Sequence, residues 1–106
     1  MITRINSNQN FQGIKLTHSN PFSTREVVRR IKSAGYYCCG AKTVEHSSDK
    51  QFVFNTIRLY NDFLGNEFGV VFFPKEAYIV SSPVNEQLIL PIINKLDKGA
   101  RINFSL

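Results

Sequence analysis

The sequence is poor in the residues that build metal centres, disulfide frameworks and hydrolytic carboxylate pairs. It has two cysteines, two histidines and no tryptophan, and its eight acidic residues are scattered. Two adjacent cysteines do not make a disulfide framework, and the Cys and His spacing matches no zinc motif. A glycine-rich phosphate loop and an H-E-x-x-H motif are also missing. We therefore expect no metal and no cofactor.

Long apolar runs are missing as well. The chain has no stretch of about 18 apolar residues, the length that a membrane-spanning helix needs. Residues 1–10 lack the apolar stretch of a secretory signal. Together with the low cysteine count, these absences predict a cytoplasmic protein without a membrane partner.

Aromatic and basic residues are plentiful. Nine phenylalanines and four tyrosines in 106 residues supply ring area for one compact core. The net charge is +5, and residues 1–53 carry eight Lys and Arg against three Asp and Glu, whereas residues 54–106 carry five of each. This excess of positive charge in the amino-terminal half favours an anionic partner, either nucleic acid or an acidic protein.

Hydrophobic periodicity predicts a single α+β domain over residues 11–106, after a polar and loosely held segment at 1–10. The predicted order is β-α-β-α-β-β-α-β, which gives a mixed sheet of four to five strands and three helices. The strands are expected at 11–16, 36–44, 67–73, 77–82 and 101–106, and the helices at 24–34, at 49–64 and from Ser82 onward.

Two elements are expected to be deeply buried. The strand at 67–73 is apolar on both faces, which is typical of a central strand covered by helices or by another chain. The third helix has Ser82 as its cap and Pro83 at its first position, and it is almost entirely apolar. Pro91 should kink or split it. If the chain's own helices cannot cover these elements, a homo-oligomer with a structural or assembly role is expected.

The segment GYYCCGAK, residues 35–42, contains both cysteines. Aromatic residues and free cysteines favour buried strands, so the segment is predicted to be a core strand. The alternative is a thiol-dependent enzyme, in which Cys39 is the nucleophile, His46 is its base and Asp49 orients the imidazole.

The first predicted helix carries a stripe of positive charge. Arg25, Arg29 and Lys32 follow one another at helical spacing on the side opposite the apolar residues. Glu26 is expected to pair with Arg30 four residues later, which leaves the stripe without an acidic neighbour on the helix. Such a stripe could follow phosphates or meet an acidic protein surface. The alternative is an ordinary solvated helix face.

Phe54 is the one aromatic residue that falls on the polar side of the second predicted helix. The predicted buried arc of this helix comprises Phe52, Val53, Ile57, Leu59, Tyr60, Phe63 and Leu64. An aromatic side chain on the polar side could anchor an interface, although single exposed apolar residues are common.

These observations predict a small non-enzymatic binding or regulatory module that engages an anionic partner. A thiol-dependent enzyme and an assembly subunit are the alternatives.

Overall fold

The computed structural model describes residues 13–17, 21–46, 50–61, 63 and 65–102. The predicted segment 1–10 and the candidate residue Asp49 lie outside these ranges. Three helices and five strands follow one another in the predicted order. They are β1 (Ile14–Lys15), α1 (Pro21–Ser33), β2 (Tyr37–Thr43), α2 (Lys50–Asn61), β3 (Glu67–Phe73), β4 (Glu76–Ser81), α3 (Pro83–Ile93) and β5 (Arg101–Ile102).

The five strands form one mixed sheet with the order β2-β3-β4-β1-β5. β2 and β3 are parallel, and the other neighbouring pairs are antiparallel. The α+β fold with a mixed sheet and three helices is therefore confirmed.

Helices cover the sheet on both faces. On one face, here called the two-helix face, α1 and α3 bury the larger apolar cluster. It includes Ile14, Leu16, Val27, Ile31, Phe68, Val70, Ile79, Ile89 and Ile93. On the other face, the α2 face, Phe54 and Ile57 of α2 pack on Val71, Phe73, Tyr78 and Val80. β3 is thus an interior strand covered on both sides by helices of its own chain, which confirms its predicted burial and requires no second chain.

The buried side of α2 is shifted from the one that its sequence suggested, since Ile57 is buried as predicted but other members of the predicted side are not. Phe54 is fully buried, and its ring makes edge-to-face contacts with Phe73 and Tyr78. Leu59 and Tyr60, which the periodicity assigned to the buried face, are exposed. Apolar residues surround most of this helix, so the aromatic pair on the sheet decides which side docks. The expectation that Phe54 is an exposed interface anchor is wrong.

β2 is an edge strand rather than a core strand. Among the described residues it pairs with β3 alone, and its own residues are exposed except for the half-buried Cys38. The register shifts between Cys38 and Gly40, so Cys39 is the extra residue of a bulge. The prediction of a core strand at 36–44 is wrong in burial, because β2 lies at the edge of the sheet. The segment is a strand as predicted.

α1 begins at Pro21, three residues before its predicted start, and ends at Ser33, one residue before its predicted end. Proline suits a first helical position, since its missing N–H would have no partner there. Gly35 has φ +106°, and its N–H bonds the carbonyl of Lys32. A left-handed glycine of this kind closes a helix without steric strain.

α3 begins as the sequence indicates. The hydroxyl of Ser82 accepts a hydrogen bond from the N–H of Asn85, at 3.2 Å, and Pro83 follows at the first position. Pro91 does not split the helix, which continues through it to Ile93. The helix is less buried than its composition suggested, because Val84 and Leu88 face outward.

Candidate functional site

The predicted basic stripe on α1 is exposed. Arg25, Arg29 and Lys32 all face solvent on the side away from the apolar core. The ion pair on this helix differs from the expectation, since Glu26 pairs with Arg29 rather than with Arg30. Both side chains of this pair are exposed, so the interaction contributes little to stability. The stripe keeps a net positive charge.

A second basic surface lies at the end of the sheet where β1 stops, β5 begins and β3 turns into β4. It is a groove of about 410 Å³, here called the basic groove. Three cations line it together with one carboxylate. The lining residues are Lys15, Leu16, Thr17, Lys75, Glu76, Gly99 and Arg101.

The register of the sheet brings two of these cations together. Lys15 of β1 is the direct cross-strand partner of Arg101 of β5. Directly opposed residues on neighbouring antiparallel strands point to the same face, about 5 Å apart at their Cβ atoms. Like charges at that separation are destabilising. The pairing therefore creates a local excess of positive charge that an anion would offset.

Glu76 is the acidic residue of this lining, and it is already engaged. Its carboxylate lies 3.1 Å from the Lys50 ammonium and 3.7 Å from that of Lys15, and it accepts a hydrogen bond from the Tyr78 hydroxyl at 2.9 Å. Burial opposes ionisation of Glu76, but the hydrogen bonds from Lys50 and Tyr78 and the two lysine charges lower the pKa of the carboxyl. Two lysines share this one negative charge, so the groove stays cationic.

Sequence reasoning did not single out the basic groove. Lys15 counted only toward the charge of the amino-terminal half, and Lys75 and Arg101 lie in the half that is neutral overall. β1 and β5 come from opposite ends of the chain and pair in the sheet, and no local sequence pattern encodes that pairing. The sequence does predict strands that contain Lys15 and Arg101, and so it places both residues in the sheet.

Cys39 lies beside a cavity of about 210 Å³ between β2 and α2. The lining comprises Cys39, Gly40, Ala41, Lys42, Ile57, Phe63, Gly69, Val70 and Val71. The strand itself leaves Cys39 exposed and Cys38 half-buried. Local desolvation and the nearby Glu67 carboxylate raise the pKa of the Cys39 thiol. A raised pKa disfavours the thiolate that a nucleophile needs.

Of the other residues in the proposed thiol site, only His46 is described, since Asp49 lies outside the described ranges. No hydrogen bond joins His46 to Cys39, and His46 is exposed beyond the end of β2. Within the described ranges, no group of three His, Cys, Asp or Glu side chains could hold a metal ion. The thiol-enzyme hypothesis stays a prediction without a structural feature in its favour.

A buried ion pair joins α2 to α3 behind the end of β4. Arg58 donates from Nη2 to Oε2 of Glu86 at 2.6 Å and from Nε to the carbonyl of Ser81 at 2.8 Å. The N–H of Ser81 donates to the same Oε2 at 2.8 Å. Oε1 of Glu86 is buried without a hydrogen-bond partner among the described residues.

Burial dominates the protonation of this pair. Loss of hydration raises the pKa of Glu86 to about 8, and the charge and hydrogen bond of Arg58 and the Ser81 N–H offset only part of that effect. Burial likewise lowers the pKa of Arg58. Because the pair links α2 and α3 to the end of β4, we assign it to the fold rather than to a binding site.

Comparisons of the chain with protein-family models, with curated proteins and with solved structures found no match. Among the described residues, no helix has the length and apolar character needed to cross a membrane.

Proposed function

We propose that this chain is a small non-enzymatic binding module that engages the phosphates of nucleic acid through the basic groove. The carrying observation is the cross-strand pair of Lys15 and Arg101, with Lys75 beside it in the groove lining. An anion between two cations that are held close together on a sheet is strongly stabilising, because the attraction of each cation to the anion offsets the repulsion between the cations.

The composition of the groove favours phosphate over carboxylate partners. Arg101 offers a planar guanidinium that suits two oxygens of a phosphate, and the lysines add compact charges. Among the described residues, the groove lining contains no aromatic side chain on which bases could stack. We therefore expect contact with the backbone and little sequence preference.

The stripe of Arg25, Arg29 and Lys32 is a secondary contact in this proposal. α1 follows β1, so the helix starts at the end of the sheet where the groove lies. A long polyanion that fills the groove could continue along this helix, whereas a short one would not reach it.

The test compares two variants that lose the same charge from different surfaces. The groove variant carries Lys75→Gln and Arg101→Gln, and the matched stripe variant carries Arg25→Gln and Lys32→Gln. Binding to mixed-sequence RNA, to DNA and to polyglutamate is measured by fluorescence anisotropy at several salt concentrations. Each lost phosphate contact should reduce the slope of log K against log salt by about 0.9 for duplex DNA.

The proposal expects the groove variant to lose about two units of slope and the stripe variant less. Wild type that binds no nucleic acid at low salt refutes the proposal. Preferential binding of polyglutamate would point to an acidic protein instead. A groove variant that binds like wild type, beside a weakened stripe variant, would move the contact to α1.

A further inference from the structure

β2 leaves a long, unprotected edge on the sheet. It is seven residues long, it ends the strand order, and among the described residues its outer side pairs with no strand. The opposite edge strand, β5, is described over two residues only. Edges of monomeric proteins are usually blunted by prolines, charges or bulges. β2 has no proline, one charge at Lys42 and one bulge at Cys39.

We propose that a second copy of this chain pairs antiparallel with β2, so that the two sheets join across a two-fold axis. Three features of β2 fit a second copy: the faces on which its side chains lie, the direction of its free backbone groups, and a cavity beside residues 39–42 that the exposed Tyr37 of the other copy can reach.

Side-chain faces allow a register centred between Cys39 and Gly40. The parallel partners in β3 place Tyr37, Gly40 and Lys42 on the α2 face, and Cys38 and Ala41 on the two-helix face. Opposed residues of an antiparallel pair must share a face. With Tyr37 opposite Lys42 of the second copy, Cys38 falls opposite Ala41, and each pair shares a face. A pairing centred on Gly40 would instead set Tyr37 against Thr43, which lies on the other face.

Backbone directions agree with the same register. The N–H groups of Tyr37 and Val44 point inward and bond β3, to Asn66 at 2.8 Å and to Phe72 at 2.7 Å. Successive residues of a strand point their backbone groups to alternate sides, so those of Cys38 and Ala41 point outward. The proposed register places these two residues opposite each other, where they can exchange hydrogen bonds.

The cavity beside β2 gives the tyrosine a place to pack. Tyr37 is 66% exposed although it is aromatic. In the proposed register its ring reaches the Lys42 end of the second copy's β2, on the face where the cavity of about 210 Å³ opens between β2 and α2. Ile57 and Phe63 line that cavity. The two-fold axis makes the contact reciprocal, as an isologous interface requires.

The charges of Lys42 and Glu67 are complementary on the α2 face of the proposed interface. Glu67 of β3 is the neighbour of Tyr37 on the α2 face. Lys42 of the second copy would therefore point toward the Tyr37 ring and the Glu67 carboxylate. A lysine ammonium over an aromatic ring is attracted by the negative face of the ring.

Sedimentation velocity over a range of concentrations tests the assembly. Wild type should sediment as a dimer, and Ala41→Pro should be monomeric, since proline removes the outward N–H and leaves the inward pairing with β3 in place. Ala41→Val is the matched control and should stay dimeric. Circular dichroism and thermal melting verify that each variant is folded. A wild-type monomer at the highest attainable concentration overturns the proposal, and so does a folded Ala41→Pro dimer.

A second pair of variants tests the tyrosine. Tyr37→Ala should weaken self-association about tenfold or more, as expected when a buried aromatic anchor is lost. Tyr60→Ala is the control: it removes an exposed ring from α2 instead of β2 and should leave self-association unchanged. Equal effects of the two substitutions would contradict the assigned register.

Crosslinking tests the position of the two-fold axis. The register sets Cys39 opposite Gly40 of the second copy, so the two Cys39 thiols lie close to the axis. Diamide should join them in a disulfide, with the azo group of diamide taking up the two hydrogens. Cys38→Ser should still crosslink and Cys39→Ser should not. Crosslinking that depends on Cys38 instead would overturn the register.

Discussion

Arg58 and Glu86 form an ion pair of 2.6 Å that joins the helix on one face of the sheet to a helix on the other. Both groups also bond the backbone of Ser81, the last residue of β4. A pair buried to this extent is weak evidence for stability, because both ions lose their hydration. Its more specific consequence is a dependence of stability on pH.

Glu86→Gln should remove a pH dependence between about pH 4.5 and pH 8. The folded pKa of Glu86 is about 8, above the ordinary value of 4.5. The folded state therefore binds the proton more tightly than the unfolded state. This contribution to the free energy of unfolding is fully present below pH 4.5 and is lost as pH rises through 8. The difference is about 1.4 kcal/mol for each unit of pKa.

Chemical denaturation at a series of pH values measures the slope, and Glu76→Gln is the matched control. The pKa of Glu76 is lowered, so its contribution is present above the ordinary carboxyl pKa and is lost as pH falls. The control should change only the acidic limb of the profile. If the free energy of unfolding of Glu86→Gln still changes with pH in the neutral range, that pH dependence belongs to another group.

Phe54→Ala should destabilise the fold by about 3–5 kcal/mol, the usual cost of removing a buried phenylalanine side chain. The ring is fully buried, and its edge-to-face contacts with Phe73 and Tyr78 would be lost. Leu59→Ala on the exposed side of the same helix should change stability by about 0.5 kcal/mol or less. Urea denaturation compares the two. A larger loss for Leu59→Ala would mean that α2 docks with the side that its sequence suggested.

Cys39 should react slowly with thiol reagents at neutral pH and faster as the pH approaches its raised pKa. Desolvation and the Glu67 carboxylate disfavour the thiolate, which is the reactive form. Labelling rates with iodoacetamide in Cys38→Ser, which keeps only Cys39, would be compared with those of free cysteine. Rapid labelling of Cys39 at neutral pH would revive the thiol-enzyme hypothesis.

The triple substitution Arg25→Gln, Arg29→Gln and Lys32→Gln should leave the fold almost unchanged, because these side chains are exposed on α1. Surface changes of this kind usually stay within about 0.5 kcal/mol each, and the exposed pair of Arg29 with Glu26 adds little. A melting curve checks this before any binding is measured. A large drop in melting temperature would show that the stripe packs against other parts of the chain.

Local features of this fold were predictable from the sequence. Gly35 ends α1 and Ser82 caps α3, because each acts on backbone groups within a few residues of itself. Pro74 marks the turn between β3 and β4 for the same reason. The apolar character of β3 on both faces correctly indicated an interior strand.

The tertiary structure decided which surfaces are buried and which charges meet. α2 offered apolar residues on most sides, and the choice of Phe54 depended on Phe73 and Tyr78 of the sheet. Lys15 and Arg101 are neighbours only because strands from the two ends of the chain pair. Periodicity describes what one element presents to its surroundings, whereas these contacts join residues distant in the chain, so their partners are set by the packing of the whole domain.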